Sequence, residues 1–456
     1  MKKPTKIPLI TLLLVLLAGS AASAQPMKLT VEETVRIALE NNIDINTARM
    51  DVSQAQAAVD EAFGYAYPTV DLEGNISHFF EKPKTPFPKA FMDPTAKPDE
   101  YMLFEMALGN NYEAKIQATQ ILFSSAVFTG IGASERYLEL AKKSLRSKMA
   151  ATVTDAKTAF YAVILTGEML DILKQSQNNA EENYQNVKAM YEAGLASEFD
   201  ALQVEVRVEN IKPQVVELEN RLKEVKDQLK LVLGLDQSVE IELAGNLDYK
   251  EFKLQDTEEI TSQAMESSYD LNILKLKRTV DEAFVDLEEA DYYPTIAAFG
   301  NYTRSGSSND LDFLNWGSGI FGLQFSMNLF RGGQTSNRVQ QKKIEVLKTD
   351  GNIRLLEQFL RQQIKAQVLE VERVQSQVEA QQRNVKLAER AYDIAKVRYD
   401  EGTGTQLEIK NADMELITAR TQLYQSQFDY LKAIFTLNKL TGSVEEQLIN
   451  EFIDKK

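Results

Sequence analysis

Apolar and polar residues follow two periods along this chain, and the switch between them occurs twice. Residues 30–63 read as a helix opened by Thr30-Val31-Glu32-Glu33, a capping box in which hydroxyl and carboxylate satisfy free amide groups reciprocally. The helix ends before Tyr67-Pro68, because proline disfavours α conformation in the residue ahead of it. Beyond Pro68 the period becomes two: Val70, Leu72, Ile76 and Phe80 alternate with Thr69, Asp71, Glu73, Asn75 and Ser77. Tyr112, Ala114, Ile116 and Ala118 alternate likewise with Glu113, Lys115, Gln117 and Thr119. A second helix, 270–291, ends before Tyr293-Pro294. There Phe321, Leu323, Phe325, Met327 and Leu329 alternate with Gly322, Gln324, Ser326 and Asn328, and residues 295–303 give the weakest of four strands. Each run has one apolar and one wet face and approaches the roughly 9–11 residues that cross a bilayer at a tilt.

After the strands the period returns to that of a helix, over far greater lengths. Residues 334–400 contain no proline, and ~67 residues at ~1.5 Å each extend on the order of 100 Å. Ile364, Val371, Val378, Val385, Tyr392 and Tyr399 recur every seven residues, the seam of a coiled coil. The returning helix answers with Ile409, Leu416, Leu423, Tyr430 and Leu437. In the first half Val204, Ile211, Leu218, Val225 and Val232 run beside Val208, Val215, Leu222 and Leu229, with Pro213 predicting a local kink.

The two halves are copies. Leu122-Phe123-Ser124-Ser125 is echoed by Leu329-Phe330-Arg331-Gly332, and Leu233-Gly234-Leu235 by Leu440-Thr441-Gly442, both 207 residues on. Tyr191-Glu192-Ala193-Gly194-Leu195 returns as Tyr399-Asp400-Glu401-Gly402-Thr403 at 208. Tyr67-Pro68 matches Tyr293-Pro294 at 226, so the first copy carries 19 extra residues, placed in the proline-rich loop 81–100; the second copy uses a shorter loop, 304–315. The organisation read from these marks is a signal peptide over 1–24, a first repeat over 25–235 and a linker over 236–268. A second repeat follows over 269–442, with a tail over 443–456. The first repeat places strands near 69–80 and 111–122 and long helices over 128–233. The second places strands near 295–303 and 317–329 and long helices over 334–441.

Composition narrows the function. Lys2, Lys3 and Lys6, the apolar run from Leu9 to Ala18 and Ala22-Ser23-Ala24 form a secretory signal. Without those lysines, 48 basic residues face 67 acidic ones, a net charge of −19 that argues against nucleic acid. The chain has no cysteine, hence no disulfide, thiolate metal site or lipidated N-terminal cysteine. His78, the single histidine, reads as a surface or barrel side chain. No phosphate loop, nucleophile elbow or metal-ligand spacing marks an enzyme, so no catalytic, cofactor or metal residues are assigned. After residue 25 no apolar run reaches the ~18 residues of a spanning helix, so membrane entry would be by strands. Tyr65, Tyr67, Tyr292, Tyr293 and Trp316 at the strand ends suit an aromatic girdle. Four strands cannot close a barrel, which needs about eight, so the sheet requires other copies.

Signal peptide, duplicated halves, bilayer-length strands and paired long helices together resemble the TolC-type outer-membrane efflux protein family. Leu329-Phe330-Arg331-Gly332-Gly333 and the turns at Gly194 and Gly402 carry the likeness most specifically. The resemblance implies a mainly α fold with a transmembrane β-barrel portion. Three chains would give four strands each to a twelve-stranded barrel continued by a periplasmic α-helical tunnel. It implies a passive exit duct of tripartite efflux or type I secretion, in the outer membrane, in contact with its lipid. The implied partners are a periplasmic adaptor and an inner-membrane transporter of the RND or ABC type. The turns Gly194-Leu195 and Gly402-Thr403 would meet adaptor hairpins, although glycine there also simply reverses the chain. Asp200 and Glu408 align with acids that narrow the tunnel, and Tyr399 with a tyrosine that holds it closed. Gly404 stands where an arginine would support closure, and Asn411 where a further acid would stand. Both acids also suit ordinary early positions of a helix.

Two other readings stand beside the duct. A periplasmic coiled-coil adaptor or scaffold would use the helix pairs for binding and have no barrel. A secreted enzyme would need a nucleophile, base and orienting group that the sequence does not display.

Overall fold

A computed structural model describes residues 27–454, so the expected signal peptide lies outside the described residues. In chain order the elements are β1 (Met27–Leu29), α1 (Val31–Asn41), α2 (Ile43–Gly64), β2 (Thr69–His78), β3 (Lys84–Pro88), β4 (Tyr101–Glu105) and β5 (Asn110–Ser124). Next come α3 (Ser125–Glu192), α4 (Glu198–Leu233), β6 (Ile241–Leu243), α5 (Thr257–Ser267) and α6 (Tyr269–Glu289). β7 (Thr295–Ser308), β8 (Leu314–Ser326), α7 (Gln334–Asp400), α8 (Gln406–Leu440) and α9 (Glu446–Asp454) complete the chain. Packing divides it into two units, each drawn from both repeats. One comprises 47–147 and 265–360; the other comprises 148–264 with the flanking segments up to 46 and from 361.

The first unit holds one antiparallel sheet in the order β2-β5-β7-β8, so a strand from each repeat forms the central pair. The register puts Val70, Leu72 and Ile76 on the same face as Tyr112, Ile116, Ala118, Tyr302, Phe321, Leu323 and Phe325. Asp71, Glu73, Glu113, Lys115, Gln117, Asn301, Thr303 and Gln324 share the other. Among the described residues no segment covers the apolar face: Ile76 is 85% and Phe321 91% exposed. The edge strands β2 and β8 each have an outer side with no paired strand among the described residues.

Several expectations change here. Trp316 lies opposite Ser305 on the polar face, so it is no part of a lipid-facing girdle. β7 runs on to Ser308 and β8 begins at Leu314, which shortens the expected 304–315 loop to residues 309–313. Neighbouring ladders on both sides satisfy the backbone of this Ser- and Gly-rich stretch despite its low strand propensity. β8 ends at Ser326 rather than 329, leaving Leu329 and Phe330 outside the ladder. The loop 81–100 contains strand β3, which pairs with β4 and tolerates Pro86 and Pro88 because the two strands form a sheet of their own, with free edges. At the junction into α7, Arg331 and Arg338 both bind Asp291, three residues before Pro294; the Arg331 contact is 3.1 Å.

The second unit is built on paired helices. Ile364, Val371 and Val378 are fully buried along α7, and Val204, Val208, Ile211, Val225 and Leu229 are buried along α4, which is continuous through Pro213. The expected helix 30–63 is two helices: Asn42 accepts from the amides of Asp44 and Ile45 at 2.9 and 3.2 Å, starting α2 afresh. The same side chain donates to the Val232 carbonyl at 2.8 Å. The Thr30–Glu33 capping box forms as expected. In the linker and tail, β6 pairs in parallel with β1, and α5 and α9 are short helices. Tyr430, fully buried on α8, donates to the Lys250 carbonyl and accepts from the Phe252 amide, holding this irregular stretch of the linker in place.

Candidate functional site

The two helix turns of the second unit are one motif used twice. Gly194 has φ 74° and Gly402 φ 74°, a left-handed backbone that glycine adopts without a Cβ penalty. In each, the glycine amide bonds three residues back, Gly194 to Tyr191 and Gly402 to Tyr399, both at 2.9 Å. The next amide reaches five back, Leu195 to Met190 and Thr403 to Arg398, both at 2.8 Å. These are Schellman closures, which satisfy carbonyls at a helix end and aim the chain back along its own helix. Leu195 is left 75% exposed. Gly404 adds a closer approach: its amide also donates to the Arg398 carbonyl at 2.8 Å, and a Cβ there would lie 3.0 Å from the Tyr399 nitrogen and 3.1 Å from the Arg398 carbonyl carbon.

Asp200 and Glu408 take the same place, third in the helix after each turn, but are held differently. Ser197 caps α4, and the Asp200 carboxylate accepts from the Ser197 hydroxyl at 2.6 Å and amide at 3.4 Å, a closed capping box. Thr405 caps α8 through the Glu408 amide, but the Glu408 carboxylate lies 3.6 Å from Arg398. That same oxygen, Oε2, is shielded from solvent and accepts no hydrogen bond among the described residues. Both acids therefore have a local role at a helix start, where negative charge meets the positive end of the dipole. Tyr399 lies beside a groove, and its hydroxyl makes no hydrogen bond among the described residues.

That groove, about 600 Å³, lies between the hairpins α3/α4 and α7/α8. Asn186, Met190, Arg207, Tyr399, Lys410 and Asp413 are among its lining residues. A polar network that sequence reasoning missed crosses it. Arg207 donates to Asp413 at 2.9 Å, and Ser176 donates to the same oxygen at 3.1 Å. Closer to the turns, the Asn183 and Gln406 amides bond reciprocally at 2.9 and 3.1 Å, and Gln406 is buried. The side chains of Arg207 and Asp413 are 22% and 15% exposed. Burial first, and then the negative charge of Asp413, hold the nearby Tyr392 phenol above its ordinary range. The available signal was position: Arg207 stands one residue before the seam residue Val208, and Asp413 lies between the seam residues Ile409 and Leu416.

The family described as Outer membrane efflux protein matches residues 34–235 and 260–443. The Outer membrane protein TolC of Escherichia coli K12 is 20% identical over 355 residues, covering 74% of this chain and 71% of that one. The Alkaline protease secretion protein AprF of Pseudomonas aeruginosa is 19% identical over 352 residues, covering 74% and 71%. In fold, the Campylobacter jejuni CmeC outer membrane channel superposes with a TM-score of 0.75 at 18% identity, covering 93% of this chain and 88% of that one.

Proposed function

The chain belongs to the outer membrane efflux protein family, and from that premise we propose that three copies close a twelve-stranded barrel and together form the exit duct of an efflux or secretion assembly. The protein is an outer-membrane exit channel with a periplasmic helical tunnel. The observation that carries the assembly is the four-stranded sheet, apolar on one face, polar on the other and unpaired at both edges. Such a sheet suits lipid outside and water inside, and its edges are satisfied when β2 of one copy meets β8 of the next. A coiled-coil adaptor without a barrel has no use for this sheet and is not favoured. The family is one of channels rather than enzymes; we infer that this chain conducts without catalysing, driven by an inner-membrane transporter through a periplasmic adaptor. The alkaline protease secretion named for AprF supports such partners. The exposed turns Gly194-Leu195 and Gly402-Thr403 are the adaptor contacts we propose.

In this reading the acids at Asp200 and Glu408, three of each per assembly, line the narrow inner end, with Tyr399 beside them, and attract cations. Planar-bilayer recording tests it. Asp200→Ala with Glu408→Ala is expected to weaken block by divalent cations and to alter conductance. If both are unchanged in assembled protein, these acids are not the constriction.

A further inference from the structure

The apolar face of the sheet carries one full positive charge that no described residue neutralises. Arg304 lies opposite Ala114 on one side and Gly317 on the other, and Gly74 continues the row across β2. It is exposed and makes no hydrogen bond or ion pair among the described residues. The carboxylates nearest in register, Glu73 and Glu113, belong to the opposite, polar face. Arginine on a lipid-facing strand costs roughly 2–4 kcal/mol at the bilayer midplane and close to nothing at its boundary. Arg304 stands nine residues along the strand from Thr295. At ~3.3 Å per residue and a ~40° tilt, that is about 23 Å of height, near the ~25 Å of an apolar barrel band. In the barrel proposed above, with Tyr292 and Tyr293 at the inner boundary and the 309–313 loop beyond the outer end, this height puts Arg304 level with the outer-leaflet headgroups.

A trough of about 450 Å³ lies next to it on the same face. Val70, Ile116, Tyr302 and Phe321 line it, with Ala118 and Gly300, paired in register, among its small residues. Tyr302 separates trough from arginine: a Cβ on Gly317 would stand 2.5 Å from its hydroxyl, so that glycine is what lets the ring lie there. An apolar trough close to an unpaired guanidinium matches an anionic, acylated lipid.

We propose that Arg304 and the trough between Val70, Ile116, Gly300 and Phe321 bind an outer-leaflet lipid, its phosphate on the guanidinium and one acyl chain in the trough. Guanidinium suits phosphate because its planar fork donates two parallel hydrogen bonds. The site rests on the outer-membrane reading and adds to it a lipid chemistry.

Native mass spectrometry of the assembled protein, with lipid A added in detergent, tests the site. Wild type is expected to carry lipid A adducts, and Arg304→Ala to lose them by about tenfold or more, as the loss of a charge-assisted hydrogen bond predicts. Arg304→Lys is expected to keep part of the binding, and dephosphorylated lipid A to bind wild type no better than lipid A binds Arg304→Ala. Gly300→Val, where the new Cβ meets nothing closer than 3.8 Å, fills the trough and is expected to weaken binding with Arg304 intact. Equal adducts in wild type and Arg304→Ala, or equal binding of the dephosphorylated lipid, overturn the proposal. Conductance of the same samples separates the two levels. Conducting protein with phosphate-independent adducts refutes the lipid site alone, whereas protein that neither assembles nor conducts refutes the channel reading beneath it.

Discussion

Asp413→Ala removes the oxygen on which Arg207 and Ser176 converge, and its effect follows from the network's surroundings. The Arg207–Asp413 contact is a charge-assisted hydrogen bond of 2.9 Å between side chains only 22% and 15% exposed. Bonds of that kind contribute roughly 1.5–3 kcal/mol, and the residual solvent access brings the figure to about 2 kcal/mol. Because the network joins α3/α4 to α7/α8, that energy favours the arrangement in which the hairpins lie together. If opening the duct separates them, losing about 2 kcal/mol shifts the closed-to-open ratio by roughly 30-fold. Single-channel recording reads this as a higher fraction of time in the conducting state. Asp413→Asn, which keeps an acceptor, is expected to shift it less. A double-mutant cycle with Arg207→Ala isolates the pair. An unchanged open fraction in Asp413→Ala, or a coupling below about 0.5 kcal/mol, would refute the claim that this contact restrains the hairpins.

Gly404→Arg, which installs the arginine that the family resemblance expects, is predicted to distort the turn rather than tighten it. Its Cβ meets backbone atoms at 3.0 and 3.1 Å, so the cost, about 1–2 kcal/mol, appears as a lower unfolding midpoint without a longer closed time. Burial raises the Tyr430 phenol above its ordinary value of 10.0. The folded chain thus holds this proton when the unfolded chain releases it, so the contribution is complete below pH 10 and is lost as pH rises through the folded value. Urea unfolding at stepped alkaline pH is expected to show this loss. Tyr430→Phe should lessen it while costing about 1–3 kcal/mol at neutral pH through the unpaired Lys250 carbonyl and Phe252 amide. A Tyr430→Phe variant as stable as wild type would remove the linker lock.

What the sequence revealed is what repeats with a period. Val70, Leu72 and Ile76 announce their face because each strand separates two unlike surroundings. The seam Ile364, Val371 and Val378 announces itself because its contacts come from one long partner. Features that depend on distant partners were hidden. Residues 304–307 look like loop and are strand because β5 and β8 hold them from both sides. Asn42 interrupts an unbroken apolar pattern through its own side chain. Arg207 and Asp413 lie 206 residues apart, and only the meeting of the two hairpins joins them. The turn glycines and the acids six residues beyond them were legible from the repeat. That Asp200 closes a capping box while Glu408 leans toward Arg398 was not, because side-chain geometry decides between them.

The number of chains in one assembly tests the central claim most directly, since in the proposed duct a sheet of four strands with two free edges is completed by copies of itself. Native mass spectrometry of protein extracted from outer membranes is predicted to give three chains, hence twelve strands. A two-chain or four-chain species, or a folded single chain in the membrane, would contradict it.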